Sequence, residues 1–279
     1  MSLAAELVRI IQLLQQPFMQ RALISSALMG CTSGLLGSIT LLRQLSFFSI
    51  ALGNSALLGM SLGIVLGLEP TSVLLPFAVV FAVVVASLLQ RTNLRNDTAL
   101  NITYATALAL AVIILGFVQS DTSTIKNLLF GDILALRQGD LYVSAGLLVV
   151  CLLYLLFSSL RQMRFSSSEP LAIAREGSAI KVRLTFVLLL AVVVAVSIKT
   201  VGALLVSAFL VLPAAAARLL NRSFLLYVGL AAILGTTSAV AGTFVAAFFN
   251  LYSGPSIVIV QFILLIMAIA LNRMTAASR

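Results

Sequence analysis

The sequence predicts an all-α fold, a polytopic transmembrane helical bundle of about eight to nine spans with an interfacial helix ahead of it. Three observations predict it. Of 279 residues, 61% are hydrophobic and only 9% carry charge, with a mean hydropathy of +1.18. The apolar residues lie in long runs of roughly the 20 residues that cross a hydrocarbon core as a helix. The basic residues fall mostly on one side of those runs, which is how loop charge sets the orientation of a membrane protein.

The elements follow in order. Residues 1–17 form an amphipathic pattern, with Leu3, Leu7, Ile10, Ile11 and Leu14 at helical spacing and Glu6, Arg9, Gln12 and Gln16 between them. Such a helix lies in the interface rather than across it. Residues 18–279 form one transmembrane domain. Its apolar segments run 18–42, 50–68, 73–89, 98–118, 141–157, 184–198, 201–217, 224–249 and 257–271. An odd number of crossings leaves Arg9, Arg21, Lys126, Arg137 and Lys199 outside and the remaining twelve of 17 basic residues inside, so the C-terminus is expected in the cytosol. No basic stretch followed by an apolar run and a small-residue cleavage site opens the chain, so the spans themselves are expected to target it.

Composition excludes several functions. A net charge of +9 could draw nucleic acid, but the basic residues are scattered through short loops, so no nucleic acid is expected. Cys31 and Cys151 sit in apolar runs without CxxC spacing. There is no histidine, no metalloprotease motif, and no ionisable residue in mid-span of the kind a proton relay needs. Span serines and threonines are expected to bond back to their own helices. Gly30, Gly34 and Gly37, and Gly59, Gly63 and Gly67, have the spacing that lets helix backbones approach. Packing within the subunit, a path-lining span and a dimer seam all fit that spacing. The chain lacks the P-loop signature, so any ATP must be bound by a separate chain.

Two loops are long enough to engage partners. Residues 119–140 face outside and hold Asp121, Asp132 and Asp140. Residues 158–183 face inside, are strongly basic, and have a helical centre near Pro170 to Glu176. Docking of a cytosolic partner and a plain solvated connector both fit the second loop.

Five stretches in order resemble the permease subunits of bacterial ABC importers for manganese, zinc and iron, the ABC-3 family. They are GCTSGLLGSITLLRQLSFFSIALGNSALLGMSLG (30–63), LLFGDILALRQGDL (128–141), EPLAIAREG (169–177), GALLVSAFLVLPAAAARLL (202–220) and SGPSIVIV (253–260). The resemblance implies a permease without enzymatic activity and with no bound cofactor, in the bacterial cytoplasmic membrane. It implies a homodimer with a metal path at or near its seam. Cytosolic ATP-binding subunits would dock through Glu169, Pro170, Ala172, Ala174, Arg175 and Gly177. An extracytoplasmic solute-binding protein would dock on the outer side, at Asp121, Asp132 and Asp140. Family members usually carry an aspartate and a histidine four residues apart along the metal's path; here those positions hold Ile50 and Asn54. A low-affinity conduit, a chelated metal or other small solute as cargo, and a degenerate subunit beside a ligand-bearing partner all fit that departure. A secondary carrier not driven by ATP and a non-transporting membrane scaffold are the readings from other classes.

Overall fold

The computed structural model describes residues 16–91, 96–117, 129–131, 138–165, 172–221 and 223–277. Among them are nine helices of 15 to 30 residues and no strand: α1 Pro17–Leu42, α2 Ser46–Val65, α3 Pro70–Arg91, α4 Asn96–Phe117, α5 Gln138–Phe165, α6 Ala172–Val201, α7 Val206–Leu220, α8 Phe224–Phe249 and α9 Ser253–Ala277. Eight are long and apolar enough to cross a membrane; α7, at 15 residues, is the shorter one. Most of the amphipathic segment 1–17 lies outside the described residues, as do Asp121, Asp132, Glu169 and Pro170.

Local chemistry sets the boundaries. Pro17 opens α1 at its first turn, where a missing N–H costs nothing. Asn250 closes α8 in the left-handed region at φ 55, and Leu251 N donates to Ala246 O at 2.9 Å. The segment expected at 201–217 starts only at Val206, because Gly202 turns the chain at φ +91. The segment expected at 50–68 ends at Val65, which leaves Gly67 in a turn at φ +66 with nothing packed on it. The largest departure concerns residues 158–183, expected as an inner loop. Residues 158–165 continue α5, and 172–183 are the first turns of α6, so the short span expected at 184–198 is the end of a 30-residue helix. The stretch AIAREGSAIKVR has no proline to stop it and is rich in straight-chain and alanine helix formers.

Interhelix contacts fix the directions. Gly30 meets Gly235, Gly34 meets Ala231, and the Tyr227 hydroxyl donates to Ser38 O at 3.1 Å, so α1 and α8 are antiparallel. Gly242 meets Ile257 across the turn between α8 and α9. Helices α1 and α9 therefore run the same way, and the start of the first and the end of the last lie at opposite ends of the bundle. The membrane-length windows of α1, α2 and α6 are 72%, 61% and 61% buried, against 17% for α4 and α5. The first three are thus the inner layer, and α7 lies among α1, α2, α6, α8 and α9.

Helices in lipid gain little from hiding apolar surface from one another; close packing and polar contacts hold them. The glycine stripes serve that packing. Gly34 lies on the backbone of Ala231 and Ala232, Gly37 on Leu210, Gly59 on the Phe77 ring, and Gly63 on Pro70 and Val73. These are contacts within one chain. Thr32, Ser33, Ser38, Thr40, Thr236, Ser238 and Thr243 each bond to a carbonyl three or four residues back in their own helix, as expected.

Candidate functional site

Helix α2 carries the two positions that the sequence singles out. Phe48, Ser49, Ala51, Leu52, Gly53, Ser55 and Ala56 are buried, and Gly53 packs on the turn before α7, where an added Cβ would sit 2.8 Å from Ala203 O and from Val206 Cγ1. Phe47, Ile50, Asn54, Leu58, Leu62 and Val65 recur every three or four residues and stay partly or fully exposed. They form one stripe that the chain covers only in part, with Ile50, Asn54, Leu58 and Leu62 half-buried. Ile50 and Asn54 are one turn apart on it. Among the described residues nothing hydrogen-bonds to the Asn54 side chain, and no group of three or more Cys, Asp or Glu could hold a metal. One neutral amide oxygen per chain can touch a passing cation without trapping it.

At one end of the bundle, three of the sequence stretches meet. Gly131 (φ +77) lies on the backbone of Thr200, Val201 and Gly202; Gly202 lies on Leu129 and Phe130; Gly254 lies on Val201 O and Phe130 O. Such backbone contacts leave no room for a Cβ. The Ser253 hydroxyl donates to Thr200 O at 3.0 Å, and the Phe130 and Tyr252 rings sit 5.5 Å apart. Beside this knot Lys199 Nζ is 2.8 Å from Asp140 Oδ1, joining the end of α6 to the first turn of α5, where a carboxylate also suits the helix dipole. Asp140, one of the three aspartates expected on the outer side, is thus already engaged within the chain.

The middle of the bundle holds a repaired break. Pro213 lies inside α7 and has no N–H, so the carbonyl four residues back, Phe209 O, loses its helical donor. Gln261 of α9, 1% exposed, supplies the replacement: its Nε2 donates to Phe209 O at 3.3 Å. Its Oε1 is buried and has no partner.

At the opposite end, Arg43 caps α1 in the tight turn into α2 and lies 4.8 Å over the ring of Phe186. Phe186 is fully buried on α6, and the Tyr154 ring of α5 is 5.8 Å from it. The backbone of Ala172, Ala174, Arg175 and Gly177 lies in the first two turns of that same α6. The sequence signals for these contacts were a proline in an apolar run, one long amide in the last span, and opposite charges at the ends of neighbouring spans. None of the three names its partner.

The model of the ABC 3 transport family matches residues 15–272. The manganese transport system membrane protein MntC of Listeria monocytogenes is 32% identical over 259 residues, covering 92% of this chain and 91% of that protein. The high-affinity zinc uptake system membrane protein ZnuB of Haemophilus influenzae is 31% identical, covering 89% and 95%. Among solved structures, PsaBC from Streptococcus pneumoniae in complex with Fab matches with a TM-score of 0.77 at 27% identity, covering 94% of this chain and 95% of that one. The chain belongs to the ABC 3 transport family. It is a multi-pass membrane permease of the ATP-binding-cassette class, and ATP hydrolysis belongs to a separate subunit.

Proposed function

We propose that this chain forms the membrane path of an importer for a transition metal ion, manganese or zinc before iron. Two copies face each other across the open stripe of α2, with Asn54 and Ile50 along the path. Cytosolic ATP-binding subunits press on the cationic extensions of α5 and α6, and a solute-binding protein sits over the glycine knot at the other end. The C-terminus is then cytosolic. The observation that carries this reading is the match along nearly the whole chain to permeases named for manganese and zinc. The stripe on α2 supports it as a face left for a second copy. The test is ATP-dependent uptake of radioactive manganese and zinc by proteoliposomes that hold the permease, its ATPase and its binding protein. Uptake that persists without ATP and follows an ion gradient would mean a secondary carrier. ATP hydrolysis without flux of any of the three metals would end the proposal.

A second reading has its own observation. Ile50 offers no ligand and Asn54 only a neutral oxygen, which also suits a chelated metal whose first shell is already filled. Uptake of the chelate but not of the free ion in the same vesicles would favour it.

A further inference from the structure

Helix α6 is one continuous helix of 30 residues, about 45 Å long at 1.5 Å per residue. It begins in the cationic extension and ends in the glycine knot. Near its outer end it is held by Lys199 on Asp140, and the Ser253 hydroxyl bonds to Thr200 O. Near the opposite end of its buried portion, Phe186 is fully buried under the Arg43 guanidinium at 4.8 Å.

Arg43 belongs to a stiff turn. Its N–H donates to Ile39 O at 2.9 Å, Gln44 N to Leu41 O at 3.2 Å, and Leu45 N to Thr40 O at 2.9 Å, with Gln44 in the left-handed region at φ 55. Helix α2 starts three residues after Arg43, and Ile50 and Asn54 lie in its first turns. Helix α6 also packs directly on α2, and a push on α6 at Phe186 reaches the start of α2 through this directional contact in addition to that packing. A guanidinium over a ring in a water-poor layer is attracted to the ring face and loses that attraction when the ring moves by one helical turn, about 5.4 Å. Contacts of this kind favour discrete positions over gradual sliding.

We propose that Arg43 is a positioning residue: through Phe186 it ties the helix that bears the cationic extension to α2, so that movement of α6 displaces the stripe holding Ile50 and Asn54. This rests on the importer reading for its biological meaning but not for its test. The assembled complex of permease, ATPase and binding protein carries spin labels at Ser46→Cys, partly exposed at the start of α2 and outside its stripe, and at Leu225→Cys, exposed, in a background with Cys31→Ala and Cys151→Ala. Pulsed dipolar spectroscopy reads the label distance with and without a non-hydrolysable ATP analogue. The unsubstituted complex is expected to show a nucleotide-driven change. Arg43→Met and Phe186→Leu abolish it while the ATPase still co-purifies and hydrolyses ATP. Arg43→Lys, which keeps a cation over the ring, retains it. In vesicles that import metal, Arg43→Met raises the ATP consumed per ion about tenfold, the loss of roughly one cation–π contact in coupling. A nucleotide-driven change that survives both substitutions overturns the proposal. So does its absence from the unsubstituted complex, and so does a parallel fall of hydrolysis and transport with lost thermal stability in Arg43→Met and Arg43→Lys alike. A complex that moves as expected but carries no metal contradicts the cargo reading and leaves this one standing.

Discussion

Replacing Gln261 by leucine tests whether that side chain is there to repair α7. Pro213 deprives Phe209 O of its helical donor, and Gln261 Nε2 supplies one at 3.3 Å. Gln261→Leu leaves a buried carbonyl unpaired, which costs about 1–3 kcal/mol. Two facts pull the value down. The bond is long, and Gln261 Oε1 is already buried without a partner, so removing it relieves a desolvation cost. The net expectation is a loss of about 1–1.5 kcal/mol. Pro213→Ala restores an N–H in the ordinary helical position and makes the glutamine redundant. In that background Gln261→Leu is expected to cost nothing or to stabilise, which gives a coupling energy of about 1–2 kcal/mol between two residues on different helices. The assay is reversible unfolding in mixed micelles of lipid detergent and denaturing detergent, followed by circular dichroism because the chain has no tryptophan. A loss that is equal in both backgrounds, within about 0.5 kcal/mol, would refute the repair argument.

Gly34→Ala places a methyl on the backbone of Ala231 and Ala232, and α1 and α8 must part to admit it, at about 1–3 kcal/mol by the same unfolding assay. Gly229→Ala, on α8 with open space around it, is expected to be neutral within about 0.5 kcal/mol, and equal costs would show that the glycine stripe is not a packing device. Ile50→Asp combined with Asn54→His puts a carboxylate and an imidazole on the open stripe, and the purified protein should then retain manganese or zinc at least about tenfold more tightly, read by elemental analysis after dialysis. Retention equal to that of the unsubstituted chain would mean that this face does not line the path.

The number of helices is legible because lipid imposes it: hydrocarbon thickness sets the length of each apolar run. Residues 158–183 read as a loop in the sequence because the apolar signal of α6 fades at Leu184 although its helix propensity does not, and hydropathy reports the bilayer rather than the helix. Partners were not legible at all. Tyr227 reaches Ser38, Lys199 reaches Asp140, and Gln261 reaches Phe209 across separations of 189, 59 and 52 residues, and no local pattern encodes those distances. The stretches around Gly131, Gly202 and Gly254 read in sequence as three unrelated motifs, yet they are one backbone contact. Seen together, these contacts explain the sparse chemistry of the α2 stripe. Most buried polar side chains described here bond to main-chain carbonyls: Gln261 replaces a lost helical donor, and the serine and threonine ladder satisfies its own hydroxyls, because an unpaired polar group in lipid is costly. That leaves the open face with one neutral amide, Asn54, amid aliphatic and aromatic neighbours. A path must bind its cargo well enough to admit it and weakly enough to release it. On the proposed import reading, a stripe with so little affinity leaves selectivity to whatever delivers the cargo.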